Sequence, residues 1–485
     1  MSPQLAHGFF KGSSPQAAYR AGHVSQDPDM ILEPAHRGRR EEQQRRTVRR
    51  RIRETLAVRR AAAVGGHGAA EPPDEPPVEP RAAGATPGTR GRRAGTGVIS
   101  ESAELAEAVI DLAAIAQNIR TIAAIARTGL MAVVKADAFG HGAVPVARAA
   151  LGAGADWLGV TSATEAVALR SAGIDAPVLS WLHRPDEDFT RLIAADVDIA
   201  VSTLTHLRAI ANAARGLGVP AAVQLKADVG LSRNGASGDE WPDLVAWARR
   251  HEVEGSIRVH GVWSHLTNAD VPGCPSIARQ LSTFQEALRI ALDAGLDPEV
   301  VHLANSAAAL AAPETRFDLC RIGLAMYGVD PFGAAGPRRF GLRPAMTLRS
   351  RVINLKRVPA GTGVSYGPDH VTSRPTTLAL LPLGYADGLS RTAEGRAWVW
   401  LAGRRCPIVG RIAMDQCVVD VGDLPVALGD PVVVFGPGAE PGSPDPAEPT
   451  AAEWAQWAGT NPHEVLTGIG ARVARVHLHA EAATS

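Results

Sequence analysis

Lys135 has the most distinctive chemical setting in the chain. It ends a short apolar run, residues 131–134, and precedes small residues, two glycines and a histidine (MAVVKADAFGHG). Such a run beside glycine is typical of a buried parallel strand, which places the lysine amine where the strand leaves the core. The amine either reaches water along its alkyl stem or acts as a Schiff-base nucleophile, because burial and nearby cations lower the pKa of a lysine.

Other side chains of catalytic type follow further apolar runs in the same way. They are Arg233 in KADVGLSRNG, His265 in GVWSHLTNAD, Asn305 and Ser306 in HLANSAAAL, and Arg321 in CRIGLAMYG. Taken singly, each has an ordinary structural explanation, such as an exposed arginine, a hydrogen-bonded histidine or a helix-capping serine. If the preceding runs are strands of one parallel barrel, all of these side chains meet at its carboxyl-terminal rim.

The spacing of the apolar runs predicts this barrel. The eight strand candidates are residues 130–135, 157–161, 177–181, 197–201, 221–227, 259–264, 300–304 and 318–322. The helix candidates include residues 113–126, 164–172, 204–217, 244–250 and 277–294. Eight strands alternating with helices over about 210 residues are typical of an α/β fold of the (β/α)8 TIM-barrel type. A doubly wound sheet is the alternative, but it requires no eightfold count.

Beyond about residue 341 the helical pattern gives way to short β-rich segments separated by turns. The strand candidates are residues 346–356, 377–381, 397–401, 416–421 and 431–435, followed by a helix at 451–457 and a closing strand at 469–477. This pattern predicts a mostly antiparallel β domain. We expect a barrel domain over residues 104–340 and a C-terminal β domain over residues 341–485. The first strand, about residues 106–112, is expected to pair with the β domain.

Residues 1–103 differ in composition from the rest of the chain. The first 100 residues contain 17 Arg and Lys against 10 Asp and Glu, whereas the remainder contains 33 against 40. This basic, Pro/Arg-rich segment has few apolar residues to bury, which predicts a disordered extension. The alternatives are a nucleic-acid or membrane-surface arm and a start codon assigned too far upstream.

The composition of the whole chain predicts a cytoplasmic protein. It contains no run of about 18 apolar residues that could span a membrane, and its N-terminus lacks the layout of a secretory signal. The widely spaced cysteines favour a reduced compartment without a structural zinc; they are Cys274, Cys320, Cys406 and Cys417. We expect no metal and no membrane or nucleic-acid partner.

The predicted rim has the composition of a pyridoxal 5'-phosphate (PLP) site. Barrels often bind phosphate between the loops after strands 7 and 8. In this chain those loops contain Ser306, which can bond phosphate, and Gly323 and Leu324, whose backbone N–H groups can surround an anion. A lysine that faces them, Lys135, can form the covalent link to the cofactor.

Eight segments, in their order and spacing, resemble the bacterial alanine racemases, which are fold-type III PLP-dependent enzymes. The segments are VVKADAFGHG, LKADVGLSRNG, GVWSHLTNAD, HLANSAAAL, RIGLAMYGVDP, GVSYG, LPLGYADG and GRIAMDQC. The resemblance extends from about residue 104 to residue 479. It implies interconversion of L- and D-alanine, which supplies D-alanine for peptidoglycan, by a head-to-tail homodimer.

The resemblance assigns two proton-transfer bases. Lys135 resembles the lysine that holds the cofactor and serves as one base, and Tyr366 in GVSYG resembles the other base, supplied by the partner subunit. Inversion of a stereocentre needs a proton donor or acceptor on each face. Tyrosine is a poor base at neutral pH, and in the family a chain from tyrosine to His265 to Arg321 favours the phenolate. Arg321 also resembles the arginine that bonds the pyridine nitrogen and keeps it unprotonated.

Further positions match residues of the family that bind cofactor or substrate. Arg233 resembles the residue that contacts the cofactor phenolic oxygen and the substrate carboxylate. Lys226 matches a lysine that can be carbamylated and then orients that arginine, although an unmodified barrel lysine is the alternative. The resemblance also implies substrate-binding roles for Met414 and Asp415 of the partner subunit, and an entryway and phosphate-side role for Tyr385.

Two positions depart from the family pattern. Phe139 stands where tyrosine is common, and Ala471 stands where some members have a tyrosine beside the cofactor. Each lost hydrogen bond is worth about 0.5–1.5 kcal/mol net. We therefore expect weaker retention of the cofactor or a wider substrate pocket.

Other functions are compatible with parts of the sequence. A broad-specificity or serine-accepting racemase would use the same residues, and a non-catalytic PLP carrier would resemble the barrel alone. A PLP decarboxylase is disfavoured because the chain lacks a glycine-triplet phosphate loop. A metal-dependent hydrolase would need His260, His265 and His302 together with a carboxylate, but His260 and His265 lie on opposite faces of their strand.

Overall fold

A computed structural model describes residues 104–271, 273–333, 339–439 and 447–478. The extension predicted for residues 1–103 lies outside the described residues, so that prediction is not tested. Within the described part of the chain, no helix is both long and apolar enough to cross a membrane.

The first strand, β1 (Ala106–Asp111), precedes a parallel sheet of eight strands. These are β2 (Gly129–Val133), β3 (Trp157–Val160), β4 (Val178–Ser180), β5 (Asp198–Val201), β6 (Ala221–Lys226), β7 (Ile257–Trp263), β8 (Val300–His302) and β9 (Leu319–Ile322). Each strand pairs with the next from β2 to β8, and β9 pairs with β2. Two backbone bonds join the remaining edges, because Asp318 N donates to Val301 O and Arg321 N donates to Ala304 O, both at 3.0 Å. The barrel prediction is confirmed.

One helix precedes the first barrel strand and others follow the later strands, and together they cover the outside of the sheet. They are α1 (Leu112–Ala126), α2 (Ala143–Gly152), α3 (Ala163–Ser171), α4 (Phe189–Ala194), α5 (Leu204–Leu217), α6 (Trp241–Val253), α7 (Ser276–Asp293) and α8 (Ser306–Ala311). Side-chain caps set several of their starts, since Asp111 accepts from Ala114 N at 2.9 Å and Ser162 forms a capping box with Glu165. Such caps satisfy backbone donors that a helix start leaves free.

The interior of the barrel holds a separate apolar cluster to which most strands contribute one residue. Its members are Met131, Trp157, Leu179, Ala200, Trp263, Val300 and Leu319. Neighbouring residues of the same strands, such as Leu130 and Ala132, belong instead to the larger core under the helices. This alternation is what a strand period of two produces. It leaves Trp263 and its polar neighbours directly beneath the carboxyl-terminal rim.

The β domain is built on a nine-stranded sheet with the order β11-β14-β17-β16-β15-β18-β10-β1-β19. Its later strands are β10 (Met346–Arg351), β11 (Asn354–Val358), β12 (Gly363–Val364), β13 (His370–Val371), β14 (Thr376–Leu381), β15 (Trp398–Leu401), β16 (Arg404–Val409), β17 (Cys417–Gly422), β18 (Pro431–Phe435) and β19 (Ala474–Leu478), with β12 and β13 forming a separate hairpin. Helices α9 (Ala451–Ala458) and α10 (Pro462–Thr467) precede β19. Strand β1, the first strand of the described residues, pairs antiparallel with β10 and parallel with β19.

Three details of the β domain differ from the sequence prediction. The single strand predicted for residues 346–356 is divided into β10 and β11, because Val352 N bonds Asp430 O while Ile353 N bonds Leu380 O. The apolar run is continuous, but its neighbours in the sheet change at this point. Strand β16 was missed because it begins with two arginines and contains a proline. The closing strand, β19, is shorter than predicted.

The side chain of Asn118 on α1 is a buried connection between the first helix and the segment that leaves the barrel. It donates to Met326 O at 2.9 Å and to Arg343 O at 2.8 Å, and it accepts from Arg343 N at 2.8 Å. We expect Asn118→Ala to lower the free energy of unfolding by about 2–4 kcal/mol, because it leaves three backbone groups without a partner. Urea denaturation measures the change. Gln117→Ala, one position away and partly exposed, should change stability by less than about 0.5 kcal/mol.

Candidate active site

A cavity of about 620 Å³ lies at the carboxyl-terminal end of the barrel. Every barrel residue to which the sequence assigned a catalytic or binding role lines it: Lys135, Lys226, Arg233, His265, Asn305, Ser306, Arg321, Gly323 and Leu324. These residues lie at or just after the carboxyl ends of five different strands, β2, β6, β7, β8 and β9, so the parallel barrel alone brings them together. Residues of the β domain complete the wall, among them Asn461 and His463.

Lys135 lies two residues beyond the last residue of β2, at the carboxyl end of the strand as the sequence predicted. Burial lowers the pKa of its amine, the charge of Arg233 lowers it further, and Glu165 opposes the shift. The amine also lies 5.9 Å from the centroid of the Trp181 ring. A lowered pKa increases the neutral fraction of a lysine, which is the form that attacks a carbonyl.

The backbone after Lys135 forms a left-handed turn. Ala136, Asp137, Ala138 and Phe139 all have φ between 50° and 55°, a conformation that costs roughly 1–2 kcal/mol for each residue with a side chain. Glu165 holds the start of the turn by accepting from Ala136 N at 2.7 Å. The end is held by Asp137, whose side chain accepts from Ala143 N at 2.7 Å. This turn was not predicted from the sequence, in which the small residues after Lys135 were the available signal.

Phe139, at the end of the turn, packs against residues of two other segments. Its ring stacks on Tyr327 at 4.7 Å and lies 5.6 Å from the ring of His463, measured between centroids. A Cβ at Gly323 would approach the Phe139 ring to 3.3 Å. Glycine at this position therefore leaves room for the ring beside the backbone N–H of residue 323, which donates to Ser306 Oγ at 3.0 Å.

The cavity contains several cations and little negative charge. Among the described residues, no ion pair connects Lys135, Lys226, Arg233 or Arg321 to a carboxylate, and the lining contains a single acidic residue, Asp270. The Lys226 amine lies 4.4 Å from the centroid of the Trp263 ring. Burial, followed by the charges of Arg321 and Arg233, lowers the pKa of Lys226 to about 7. An anion would relieve this repulsion.

Arg321 is buried, and hydrogen bonds fix both of its terminal nitrogens. Nη1 donates to His302 Nδ1 at 2.9 Å, and Nη2 donates to Ser264 O at 2.6 Å, Leu303 O at 3.0 Å and His265 Nδ1 at 3.2 Å. No acceptor for the Nε–H is present among the described residues. Burial lowers the pKa of Arg321 to about 9, which still leaves the guanidinium charged at neutral pH.

His265 is the neighbour of Arg321 that faces the cavity. Burial and then the charge of Arg321 lower the pKa of its imidazole well below the ordinary value. His265 is therefore neutral, and its Nδ1 accepts from the guanidinium while Nε2 carries the proton. This contact supplies the His265–Arg321 part of the hydrogen-bond chain that the sequence analysis expected.

Four predicted residues lie outside this cavity, on a surface of the β domain that we call the loop cluster: Tyr366, Tyr385, Met414 and Asp415. Backbone bonds hold its loops together, since Tyr385 N donates to Ala413 O at 3.0 Å and Ala386 N donates to Met414 O at 2.9 Å. Ser365 Oγ donates to Arg411 O at 2.7 Å. Tyr366 is 68% exposed and Met414 is 53% exposed. The structure thus brings these residues together, but away from the Lys135 of the same chain.

Several residues of the site were missed by the sequence analysis. Trp181, Asp270 and His463 line the cavity, and Glu165 positions the turn after Lys135. Burial lowers the pKa of His463, and the charge of Lys135 contributes in the same direction. None of these residues belongs to a periodic pattern that separates it from ordinary helix or loop positions.

The histidines considered for a metal-dependent hydrolase have other partners. His260 Nδ1 bonds Asp198 Oδ2 at 2.7 Å, and His302 bonds Gln224 and Arg321. Within the described ranges, no group of three or more His, Cys, Asp or Glu residues could hold a metal ion. These contacts give the metal hypothesis no support.

Comparison with known proteins finds one family over both domains. Residues 110–331 match the family model "Alanine racemase, N-terminal domain", and residues 345–477 match "Alanine racemase, C-terminal domain". An alanine racemase of Frankia casuarinae is 52% identical over 372 residues, which cover 76% of this chain and 95% of that protein.

Solved structures give the same result. The alanine racemase of Streptomyces coelicolor A3(2) is 48% identical with a TM-score of 0.74, over 77% of this chain and 98% of that chain. The alanine racemase from D-cycloserine producing Streptomyces lavendulae is 47% identical with a TM-score of 0.75, over 79% of this chain and 99% of that chain.

Glu165 offers a test of how the left-handed turn is held. Its carboxylate accepts from three backbone N–H groups, those of Ala136, Thr161 and Ser162. Glu165→Gln replaces one oxygen with an NH₂ group that cannot accept, so we expect the free energy of unfolding to fall by about 1–3 kcal/mol. Chemical denaturation measures it. The exposed Glu314→Gln is the control, and an equal loss of stability in both variants would contradict the role given to Glu165.

Proposed function

Because this chain belongs to the alanine racemase family, we propose that it interconverts L- and D-alanine with two bases, Lys135 and Tyr366. The observation that carries the proposal is the cation-lined cavity around Lys135, in a chain about half identical to alanine racemases over three quarters of its length. The D-alanine formed would serve peptidoglycan synthesis. No finding favours the alternatives of a broad-specificity racemase or a non-catalytic carrier.

Alanine racemases depend on pyridoxal phosphate, and the residues of the cavity fit this cofactor. The cations without carboxylate partners match its phosphate, and Ser306 with the N–H groups of Gly323 and Leu324 would hold that phosphate. Lys135, whose pKa is lowered by burial, would hold the aldehyde carbon. When bound, pyridoxal phosphate withdraws electrons from the amino acid and makes the hydrogen on its Cα acidic. Asn305 and Tyr385 are further candidates for contact with the cofactor.

Arg321 would bind the ring nitrogen of the cofactor through its Nε–H. Its other nitrogens are already engaged by His302, His265 and backbone carbonyls, so Nε–H is the donor that remains. A charged guanidinium donates and does not give up its proton at neutral pH. The ring nitrogen would therefore stay unprotonated, which limits how far charge spreads into the ring and suits a reaction that returns the proton to the same carbon.

Inversion needs an acid or base on each face of the Cα carbon. In the cavity of one chain, Lys135 would serve one face, and the other face needs a second group. We place Tyr366 of the partner subunit on the other side, in a head-to-tail dimer. Two observations support this: Tyr366 is largely exposed, and it lies outside the cavity of its own chain. The pair His265 and Arg321 would bring positive charge next to the phenol, which favours the phenolate.

The substrate carboxylate would bind between residues of both subunits. Arg233 lies on the cavity wall without a carboxylate partner among the described residues, so it can bond a carboxylate. The backbone N–H of Met414 and the neighbouring Asp415 would approach from the partner subunit. In the structure Asp415 accepts from Arg472 at 2.7 Å, which fixes the side chain of Asp415 within the loop cluster.

Substitution of the two bases should have different effects. Lys135→Ala should lose covalent retention of pyridoxal phosphate after borohydride reduction and lose racemisation in both directions. Tyr366→Phe should lower racemisation by about 100- to 10,000-fold, while exchange of the Cα hydrogen with deuterated solvent persists for one enantiomer only. Circular dichroism and NMR measure the two rates, and the exposed Lys356→Ala is the control. A wild-type rate of racemisation in Tyr366→Phe would exclude it as a base.

A mixture of the two variants tests whether Tyr366 acts across the dimer. In a mixed dimer of Lys135→Ala and Tyr366→Phe subunits, one site lacks both bases and the other has both. We expect half of the wild-type activity per mixed dimer, measured after co-expression with two different affinity tags. If Tyr366 acts within its own chain, every site lacks one base and the mixed dimer stays inactive.

Lys226 has the properties of a lysine that reacts with carbon dioxide. Its neutral amine would attack CO₂, forming a C–N bond and releasing one proton, so that a carbamate replaces the amine. A pKa of about 7 makes the neutral form abundant near neutral pH, and the product would place a negative charge among the cations of the cavity. The carbamate would then orient Arg233 towards the substrate.

The modification should be visible by ¹³C NMR in the presence of ¹³C-bicarbonate. Because the neutral fraction of Lys226 rises as the pH passes upward through about 7, occupancy should increase between pH 6 and 8, roughly one unit on either side of the pKa. Lys226→Ala should lose the signal and raise the KM for alanine, whereas Lys356→Ala should retain both. An unchanged spectrum in Lys226→Ala would contradict the assignment.

A further inference from the structure

A line of buried polar side chains crosses the interior of the barrel beneath Arg321. His302 Nδ1 lies 2.9 Å from Arg321 Nη1, and His302 Nε2 lies 2.7 Å from Gln224 Oε1. Gln224 Nε2 lies 2.8 Å from Asp198 Oδ2, which is also 2.7 Å from His260 Nδ1. All five residues are buried. Of these five residues, only Arg321 contacts the cofactor in the mechanism proposed above.

The direction of every hydrogen bond in this line is determined by its two ends. A guanidinium has donors but no acceptor, so His302 must accept at Nδ1 and carry its proton on Nε2. Gln224 then accepts at Oε1 and donates through Nε2 to the carboxylate of Asp198. Reversing any one bond would set two donors or two acceptors against each other. The line therefore has one arrangement, with positive charge at one end and negative charge at the other.

The charges of the line agree with this arrangement. Burial and the charge of Arg321 lower the pKa of His302 well below its ordinary value, so the imidazole is neutral. Burial alone would raise the pKa of Asp198, but its contacts with His260 and Gln224 lower it below the usual value, so the carboxylate is ionised. A buried cation without a counter-charge is costly. Asp198 is the carboxylate to which hydrogen bonds connect Arg321.

The end of the line that is remote from Arg321 lies against an ion pair at the amino-terminal end of the barrel. Arg258 Nη2 is 3.4 Å from His260 Nδ1, and Glu299 Oε2 is 3.7 Å from His260 Nε2. Arg258 and Glu299 also pair with each other at 2.9 Å. The shorter contact with Asp198 decides that His260 Nδ1 carries a proton and donates it to the carboxylate. Asp198 is thus held from two sides and cannot rotate away from Gln224 without losing both bonds.

We propose that Asp198 is a positioning residue for this racemase, which acts through Gln224 and His302 to hold the Arg321 guanidinium and to balance its charge. The inference rests on the role proposed above for Arg321 at the ring nitrogen of the cofactor. With Nη1 occupied by His302 and Nη2 by Ser264, Leu303 and His265, the Nε–H is the donor left for that nitrogen. Asp198 would thus determine which N–H of Arg321 remains available to the cofactor, although Asp198 does not line the cavity.

The holoenzyme provides the test, with Asp198→Asn compared with Asp156→Asn. The carboxylate of Asp156 likewise lies at the amino-terminal side of the barrel, where it accepts from Leu130 N at 3.0 Å, but it has no place in the line. ¹⁵N NMR of histidine-labelled protein should show one Nε2–H tautomer of His302 in the wild type and in Asp156→Asn. In Asp198→Asn that tautomer should persist, because Arg321 still requires an acceptor at Nδ1. The ¹⁵N signals of His302 should shift, however, because a neutral amide at position 198 removes the negative charge at the end of the line and weakens the bond from Gln224.

The same variants should differ in the visible absorption spectrum of the bound cofactor and in its dependence on pH, measured without substrate. We expect Asp198→Asn to shift the spectrum and to lower kcat by about 10- to 100-fold with little change in KM. Gln224→Glu is a second variant that keeps the volume of the side chain. Its carboxylate next to His302 should favour the imidazolium, displace Arg321 and shift the spectrum further.

Two results would overturn the inference: ¹⁵N signals of His302 in Asp198→Asn equal to those in Asp156→Asn, or a cofactor spectrum and kcat in Asp198→Asn equal to those of Asp156→Asn. Arg321→Lys separates this failure from failure of the proposed function. If Arg321→Lys alters the cofactor spectrum while Asp198→Asn does not, only the role of Asp198 is wrong. If Arg321→Lys also leaves the spectrum unchanged, the assignment of Arg321 to the ring nitrogen is wrong as well.

Discussion

Mutual repulsion among cations in one half-buried cavity is the interaction on which the site depends. Lys135, Lys226, Arg233 and Arg321 share a space that screens charge poorly, and two charges about 4 Å apart at an effective dielectric constant of about 20 interact by about 4 kcal/mol. Burial, followed by repulsion from Arg321 and Arg233, lowers the pKa of Lys226 to about 7. This repulsion destabilises the empty site, but the same cations attract an anionic ligand when it binds. Affinity for phosphate and carboxylate is in this sense stored in the folded protein.

The cost is divided between electrostatics and backbone geometry. Four successive left-handed residues follow Lys135, and a conformation of this kind persists only where surrounding contacts over-determine it. Here the contacts are the carboxylate of Glu165 at the start and the side chain of Asp137 at the end. The turn reverses the chain within a few residues, so that Lys135 and Phe139 line the same cavity.

The sequence predicted the barrel because eight apolar runs alternate with amphipathic segments, a pattern that follows from burial alone. It also predicted the rim residues, because parallel strands bring their carboxyl ends together whatever the details of the helices. Most features that depend on individual hydrogen bonds were not predicted, and the contact between His265 and Arg321 was expected only from the family resemblance. The left-handed turn depends on Glu165, which lies in the next strand–helix unit, and the break between β10 and β11 depends on which neighbours Val352 and Ile353 meet. Asp198 looks like an ordinary first residue of a strand until the barrel sets it beneath Gln224.

The pairing of β1 has a consequence for how the chain folds during synthesis. Glu107 on β1 meets Arg349 on β10, which is 242 residues further along the chain, and β19 pairs with β1 later still. A growing chain thus contains all eight barrel strands before β1 has any strand beside it. Until then the backbone N–H and C=O groups of β1 have no strand to pair with, and its apolar side chains are uncovered. Unfinished chains associate through surfaces of this kind. A fragment that ends between the barrel and β10 would therefore contain all eight barrel strands and one strand, β1, without a partner. We expect such a fragment to bind chaperones rather than to act as a smaller enzyme.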